Sequence, residues 1–543
     1  MRAAATLFTL LAVAASLSPG SGTAQTIAVQ PLPELGPDTE DAARRDQLLG
    51  NQSAAGFLAR STSSLFTRTF EGGEVFRLTA FLPTARFVWN SGLPFSMNDG
   101  GLWSGRGLNM VASAGIHLRF HRIRLMLAPQ AWYSENKDFP WFPYQTAKYG
   151  NRSPFAHLFH PMPESLDQPL RFGADPLGRV APGQSSLHLD VGAWSVGIGT
   201  ENWWWGPGIR NALLLSNQAE GFPHITIGTS RPVDTGWGDV EARWILGRLA
   251  ESDFFDFDPD NDHRSLSALT LSLTPRFDPG LTLGLARMVV APMSPDDHLL
   301  RSAFNVLHSV GQPNAVVADP DDWMPGPDQI TAIFGRWIVP RAGFEVFGEW
   351  ARFEEPRSIR DFLEFPQHSQ GYTYGAQWVT PGQLIARTRV QVEVTNLEPS
   401  STWRHRRIFG SYTSSAVPQG FTHKGQLLGA AIGPAASSQW FALDRLWEAG
   451  SRIGVFGGRV RPEAAAWATD VVPGPKRQDL FLFWGVRGAL RHAEWVISGE
   501  LSPGVRLNYL FQTYVPDPVT GRAEGVDVSN TSLSVTISRF SRR

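Results

Sequence analysis

The sequence predicts an all-β protein, a transmembrane antiparallel β-barrel of about eighteen strands with short periplasmic or plug helices. Three observations carry this prediction. Apolar and polar residues alternate with period two along many short segments. Tight Pro/Gly turns alternate with long connections. An export signal opens the chain, and no later apolar run is long enough for a membrane-spanning helix.

The export signal is read from Arg2, the small apolar run Ala3 to Leu17, and Gly22-Thr23-Ala24 before Gln25. It predicts a signal peptide over 1–24. Residues 25–72 differ in character from the rest of the chain. Pro31 to Pro37 reads as extended, and Asp38 to Leu49 as a short polar helix. This segment is predicted to lie in the periplasm ahead of a barrel over 73–543.

The alternation begins near Val75. Leu269, Leu271 and Leu273 alternate with Thr270, Ser272 and Thr274, and Leu281, Leu283 and Leu285 with Thr282, Gly284 and Ala286. Val390, Val392 and Val394 alternate with Arg389, Gln391 and Glu393, and Leu533, Val535 and Ile537 with Ser534, Thr536 and Ser538. Period two sends each set to its own face, lipid on one side and lumen on the other. Phe540 fits a last strand closing on an interface aromatic.

Tight turns are predicted at Asp278-Pro279-Gly280, Pro340 to Gly343, Thr380-Pro381-Gly382 and Ser502-Pro503-Gly504. Long connections at 292–327, 355–368 and 397–424 fall between or after them. Short turns on the periplasmic side and long loops outside explain this sorting, whereas a soluble sandwich gives no reason for it. Counting back from 278–280 puts 231–236 inside, 248–264 outside and 202–221 on the outer side. Pro295 to Leu307 reads as a short helix that caps or plugs the barrel.

Composition excludes several classes. There is no cysteine, so disulfides and thiol chemistry are absent. A net charge of −2 and a pI near 6.7 give no broad footprint for nucleic acid. The 20 Trp, 34 Phe and 53 Gly, at a mean hydropathy of only −0.17, suit strands with many turns rather than apolar helices.

Chemistry concentrates at Glu201 to Asn217, where Trp203, Trp204 and Trp205 run into Gly206-Pro207-Gly208. Flat rings beside a tight turn, with Asn202, Arg210 and Asn211 alongside, suit stacking on sugar faces and hydrogen bonding to hydroxyls. An aromatic plug inside the barrel and a membrane-interface belt are the alternatives. Asp256, Asp258, Asp260 and Asp262 alternate in one outer loop, but Asn261 and Ser267 stand where a calcium loop needs Gly and Glu. They read as a solvated acidic loop. His188 with Asp190, and Glu345 with Glu349, are placed in the lumen by alternation. No metal-protease, phosphate-loop or nucleophile-elbow motif is present. The reading is therefore of no enzyme, no cofactor and no metal.

Three stretches resemble the capsule assembly protein Wzi family. The first is Trp204-Trp205-Gly206-Pro207-Gly208 with Leu213 to Ala219, Pro223 and Ile225-Thr226-Ile227. The second is Phe347 to Arg352 with Pro366 to Ser369 and Gly371 to Gly375. The third is Gly420 to Gly429. After Leu428-Gly429 this chain has Ala430-Ala431, where a polar residue is expected. The resemblance implies an outer-membrane barrel of about eighteen strands with an occluded outer mouth, binding capsular polysaccharide at the cell surface. On that reading Trp203, Trp204 and Trp205 stack on sugar, Arg210 and Arg352 pair with uronate carboxylates, and Asn202 and Asn211 meet hydroxyls. The expected partners are exopolysaccharide and the outer-membrane bilayer, and the expected state is a monomer. A porin or transporter channel is the alternative function.

Overall fold

The computed structural model describes residues 28–31, 39–70, 76–141, 152–160, 165–308, 326–356, 358–382, 385–404, 410–448, 450–464, 466, 477–514, 518 and 524–539. The expected signal peptide and Phe540 lie outside them.

Eighteen strands, each paired with its sequence neighbour, form the barrel. They are β1 (Phe76–Asn90), β2 (Gly107–Phe120), β3 (Ile123–Leu127 with Gln130–Ser134), β4 (Leu177–Ala181 with Ser186–Val191), β5 (Trp194–Gly199) and β6 (His224–Thr229). Next come β7 (Gly238–Ala250), β8 (His263–Pro275), β9 (Leu281–Met293), β10 (Asp328–Val339), β11 (Phe344–Arg352) and β12 (Gln370–Val379). The last six are β13 (Ala386–Asn396), β14 (Ser437–Trp447), β15 (Arg452–Arg461), β16 (Leu480–His492), β17 (Trp495–Leu507) and β18 (Val528–Arg539). Antiparallel pairing of β18 with β1, Leu533 opposite Trp89, closes the ring. Closure covers the edges that an open sheet would expose. Prolines sit where the wall is irregular. Pro83 marks the register shift in β1, and Pro129 and Pro182 interrupt β3 and β4. Proline has no N–H for a ladder, so it collects at such breaks.

The expected faces are found. Leu271, Leu283, Leu285, Val390, Val392 and Val394 stand exposed on the outside, while Thr270, Ser272, Thr282, Arg389, Gln391 and Glu393 are buried inside. Leu187, Leu189 and Val191 face out between His188 and Asp190. Phe120, Trp194, Trp237, Phe277, Trp337, Phe344, Trp378, Trp447 and Trp495 are exposed in or beside the short turns. They form the aromatic girdle of one membrane interface.

The connections alternate in length. Short ones follow the even-numbered strands, and long ones, including 135–176, 200–223, 294–327 and 397–436, follow the odd ones. Turns at 276–280, 340–343 and 380–385 match expectation. The turn expected at Ser502-Pro503-Gly504 does not form. These residues lie inside β17, where pairing with β16 skips from Phe483–Gly504 to Val486–Leu501. The real turn is Ala493-Glu494, with Ala493 at φ +52°. A left-handed alanine carries no sequence signature, and the Pro-Gly pair marks a ladder break instead.

Two expected helices are placed differently. The polar helix forms as α1 (Thr39–Leu48), but it enters the lumen at the short-turn end rather than standing ahead of the barrel. Glu345 accepts from Arg44 Nε at 3.0 Å, Arg336 Nε at 2.9 Å and Gln377 Nε2 at 2.6 Å. Asp41 pairs with Arg389, which shares Asp444 with Arg487. Pro295 to Leu307 forms two short 3-10 turns, Leu299–Ser302 and Asn305–Leu307, and stays out of the lumen. They lie on the outer wall, where Ser267 Oγ donates to Ala303 O at 2.8 Å and Trp244 stacks on Phe304 at 6.0 Å. The exposed Leu300, Phe304 and Leu307 account for this. An apolar strip matches the lipid-facing wall better than a polar lumen.

A cation on the lipid face tests the assignment of faces. Leu285→Arg should destabilise the barrel by about 2–4 kcal/mol in bilayers, the range for Arg near the membrane midplane. Urea-unfolding midpoints in lipid vesicles measure it. An unchanged midpoint contradicts the placement.

Candidate functional site

The lumen is filled by the chain's own loops. The 200–223 connection descends into it, and Trp203–Trp205 pairs as a short strand with Ala59–Ser61. All three tryptophans are buried, at 3, 1 and 1 % exposure. Trp203 Nε1 meets His224 Nε2 at 3.0 Å under the Arg243 guanidinium. Trp204 packs on Leu65 and Ala212, with Arg60 over its ring at 5.2 Å. Trp205 joins the large core that spans the lumen with Leu213, Leu214, Phe421 and Leu428. Of the readings open for this stretch, burial supports the plug.

Two carboxylates hold the loop there. Glu349 on β11 accepts Gly208 N at 2.6 Å and Leu213 N at 2.8 Å. Glu393 on β13 accepts Ile209 N at 2.6 Å and Asn211 N at 3.0 Å, and also meets Arg210 N. Thr373 on the strand between them donates to Asn211 O at 3.0 Å. Gly206 has φ +106°, and a Cβ there would lie 2.3 Å from the Glu349 carboxylate. Only glycine lets the turn come this close. Buried N–H groups need partners, and here the wall supplies carboxyl oxygens for them.

The three family-like stretches meet at this plug. Ser216 N donates to Leu428 O at 2.8 Å and Ser216 Oγ to Gly429 O at 2.6 Å. Tyr412 Oη donates to Leu213 O and accepts Ala430 N, both at 2.8 Å. The position that departs from the family pattern, Ala430, thus serves packing. Glu201 anchors the loop's start by accepting Ser63 N at 2.9 Å and Ser63 Oγ at 2.8 Å, with His188 Nε2 at 3.3 Å. Burial alone would raise this carboxyl, but His188 and the Ser63 amide outweigh it and hold it down to about 2.

The other site residues expected from sequence are similarly committed. Asn202 bonds Gln184 and Ala219 O, and Asn211 reaches Glu393 and Ser438. Arg352 donates to Glu354 O at 2.9 Å and Phe365 O at 3.0 Å. Arg210 lies over Trp440 at 4.9 Å and lines, with Trp204, an internal cavity of about 120 Å³. Trp203 borders a second cavity of about 370 Å³ that runs to the 230–237 turn. Both cavities are inside the barrel. In the acidic loop, Asp256 and Asp258 accept the amides of Asp258 and Asp260 as turn caps.

Sequence reasoning misses an aromatic row. On the long-loop side five rings from three connections form a chain. Trp103 meets Phe172 at 4.7 Å, Phe172 meets Phe254 at 5.8 Å, Phe254 meets Phe155 at 5.8 Å, and Phe155 stacks on Trp141 at 5.5 Å. Trp103, Trp141, Phe155 and Phe254 are half-buried. Beside them Glu220 holds Lys424 at 3.0 Å and Arg179 at 3.3 Å. No local motif joins these rings, since they lie up to about 150 positions apart in a chain where only contact in space unites them.

If the carboxylates hold the plug, Glu349→Ala with Glu393→Ala should leave the wall intact and free the loop. Hydrogen exchange of peptides covering 206–213 should speed up by about tenfold or more, as buried amides lose about 1.4 kcal/mol or more of protection. Unchanged exchange contradicts the anchoring.

The chain is similar to known proteins. The family model described as capsule assembly protein Wzi matches residues 177–453. Among solved structures, the Escherichia coli outer-membrane protein Wzi, described as a carbohydrate-binding β-barrel involved in group 1 capsule assembly, aligns with a TM-score of 0.54 and 10% identity over 95% of each chain. Acinetobacter baumannii OccAB2 aligns with a TM-score of 0.40 and 10% identity over 84% of this chain and 97% of its own. No curated protein matches. With over half its length matched, from β4 to β15 and through the lumen plug, the chain belongs to the capsule assembly protein Wzi family.

Proposed function

We propose that this chain is a non-enzymatic, monomeric outer-membrane protein that holds capsular or related exopolysaccharide at the cell surface. A signal peptide over 1–24 exports it, residues 25–72 form the periplasmic-side segment that plugs the barrel, and residues from 73 on make the barrel. The carrying observation is the combination of a lumen filled by its own loops with a half-buried row of aromatic rings on the long-loop side. A filled lumen gives polymer no path through, and aromatic faces with cations at their edge suit its capture on top. The family's capsule role, and the carbohydrate binding described for the Escherichia coli protein, support the same reading.

In this reading Trp103, Trp141, Phe155 and Phe254 stack on sugar rings, and Lys424 and Arg179 attract acidic sugars. Trp203, Trp204 and Trp205 act one layer below, with Asn202, Asn211 and Arg352, by fixing the loops that carry the contact surface. Arg210 stays with its internal cavity.

The test is glycan binding to the folded barrel in detergent, with purified acidic exopolysaccharide as the probe. Trp141→Ala and Trp103→Ala should each weaken binding about tenfold, roughly 1.4 kcal/mol, without shifting the melting temperature. Trp204→Ala should lower the melting temperature first. Wild-type affinity in both rim variants contradicts the assignment.

A further inference from the structure

We propose that His157, His160 and Glu463 form a zinc site that clamps two outer loops together. His157 and His160 belong to the connection between β3 and β4, and Glu463 to that between β15 and β16, about 300 residues away. One ligand atom from each lies within 4.8 Å of the others. His160 Nε2 is 2.8 Å from Glu463 Oε2, and His157 Nε2 is 3.3 Å from Oε1. The rings are 4.7 Å apart and tilted at 48°, and both Nε2 atoms face the carboxylate. All three residues are buried.

The donor set suits the ion. Two imidazoles and a carboxylate are a three-ligand zinc arrangement, leaving the fourth tetrahedral position for water. His157 Nδ1 accepts Phe159 N at 3.2 Å, which orients the ring so that Nε2 faces Glu463.

The backbone points the same way. Glu463 has φ +50°, an unusual conformation for a residue with a Cβ. It is held there by Ala464 N to Ala435 O and Ala466 N to Glu463 O, both 2.9 Å. Strain of this kind collects where a side chain must be aimed. Around the cluster, Phe159 meets Phe511 edge-on at 5.3 Å and packs with Tyr509, Leu93 and Ala466. A bound ion would therefore tie the loops following β3 and β15 together, beside an apolar cluster to which the loops following β1 and β17 add Leu93 and Tyr509.

The experiment uses the full-length barrel without an affinity tag, stripped with chelator and titrated with zinc chloride by calorimetry. One saturable site of micromolar affinity or better is expected, with cobalt giving the visible absorption of a tetrahedral centre. His160→Gln keeps a donor to Glu463 but offers a poor zinc ligand, and Glu463→Gln keeps shape without charge. Each should weaken binding by about tenfold or more and abolish the zinc-dependent rise in melting temperature. Heat-dependent migration in gels establishes that each barrel is folded. No saturable binding below about 1 mM in the wild type, or wild-type affinity in both variants, overturns the proposal.

Discussion

The structure depends on backbone amides that are taken out of water and must find partners. A loop sent into a barrel lumen brings N–H groups with no strand beside them. Glu349 and Glu393, on β11 and β13, meet five such groups across the Gly206 to Leu213 turn. Without those carboxylates the loop would leave donors unsatisfied at a cost of about 1–3 kcal/mol each, and it would return to solvent. With them, the tryptophans are carried inward and the core that spans the lumen condenses around them. The barrel wall and its plug are therefore specified together, by residues on the face that alternation turns inward.

The same logic repeats at the short-turn end. Helix α1 is mostly polar, and its apolar contact with the wall is confined to Leu48, which packs on Ile338 and Val379. Most of its charged residues enter networks on the wall: Arg44 shares Glu345 with Arg336, and Asp41 shares Arg389 with Asp444. Breaking one partner of such a buried network strands the other charge, which is why a polar plug can be as firmly seated as an apolar one. The outer loops then rest on a filled cylinder, and the rings of Trp103, Trp141, Phe155 and Phe254 gain a fixed platform.

Much of this was legible in the sequence because period two is a local signal. The faces of β8, β9, β13 and β18, the lumen placement of His188 and Glu345, and the sorting of short and long connections could be read from neighbours a few positions apart. The unreadable features have physical reasons. Ala493 forms a two-residue turn in a left-handed conformation that its residue type does not announce, while Pro503-Gly504 imitates a turn inside a strand. Trp203 to Trp205 suit stacking by composition, but three rings beside Gly206 are equally suited to a core. Which one they join is decided by Glu349 and Glu393, some 140 and 180 positions onward. The aromatic row and the His157–His160–Glu463 cluster are assembled from separate loops, and no window along the chain contains either.

A wild-type lumen closed by its own chain is the condition on which surface capture rests. Current through the purified protein in planar bilayers at neutral pH tests it most directly. A plugged barrel should insert and pass almost no steady current. Stable conductance steps of the size of a water-filled porin would contradict it and move the function from surface capture to transport.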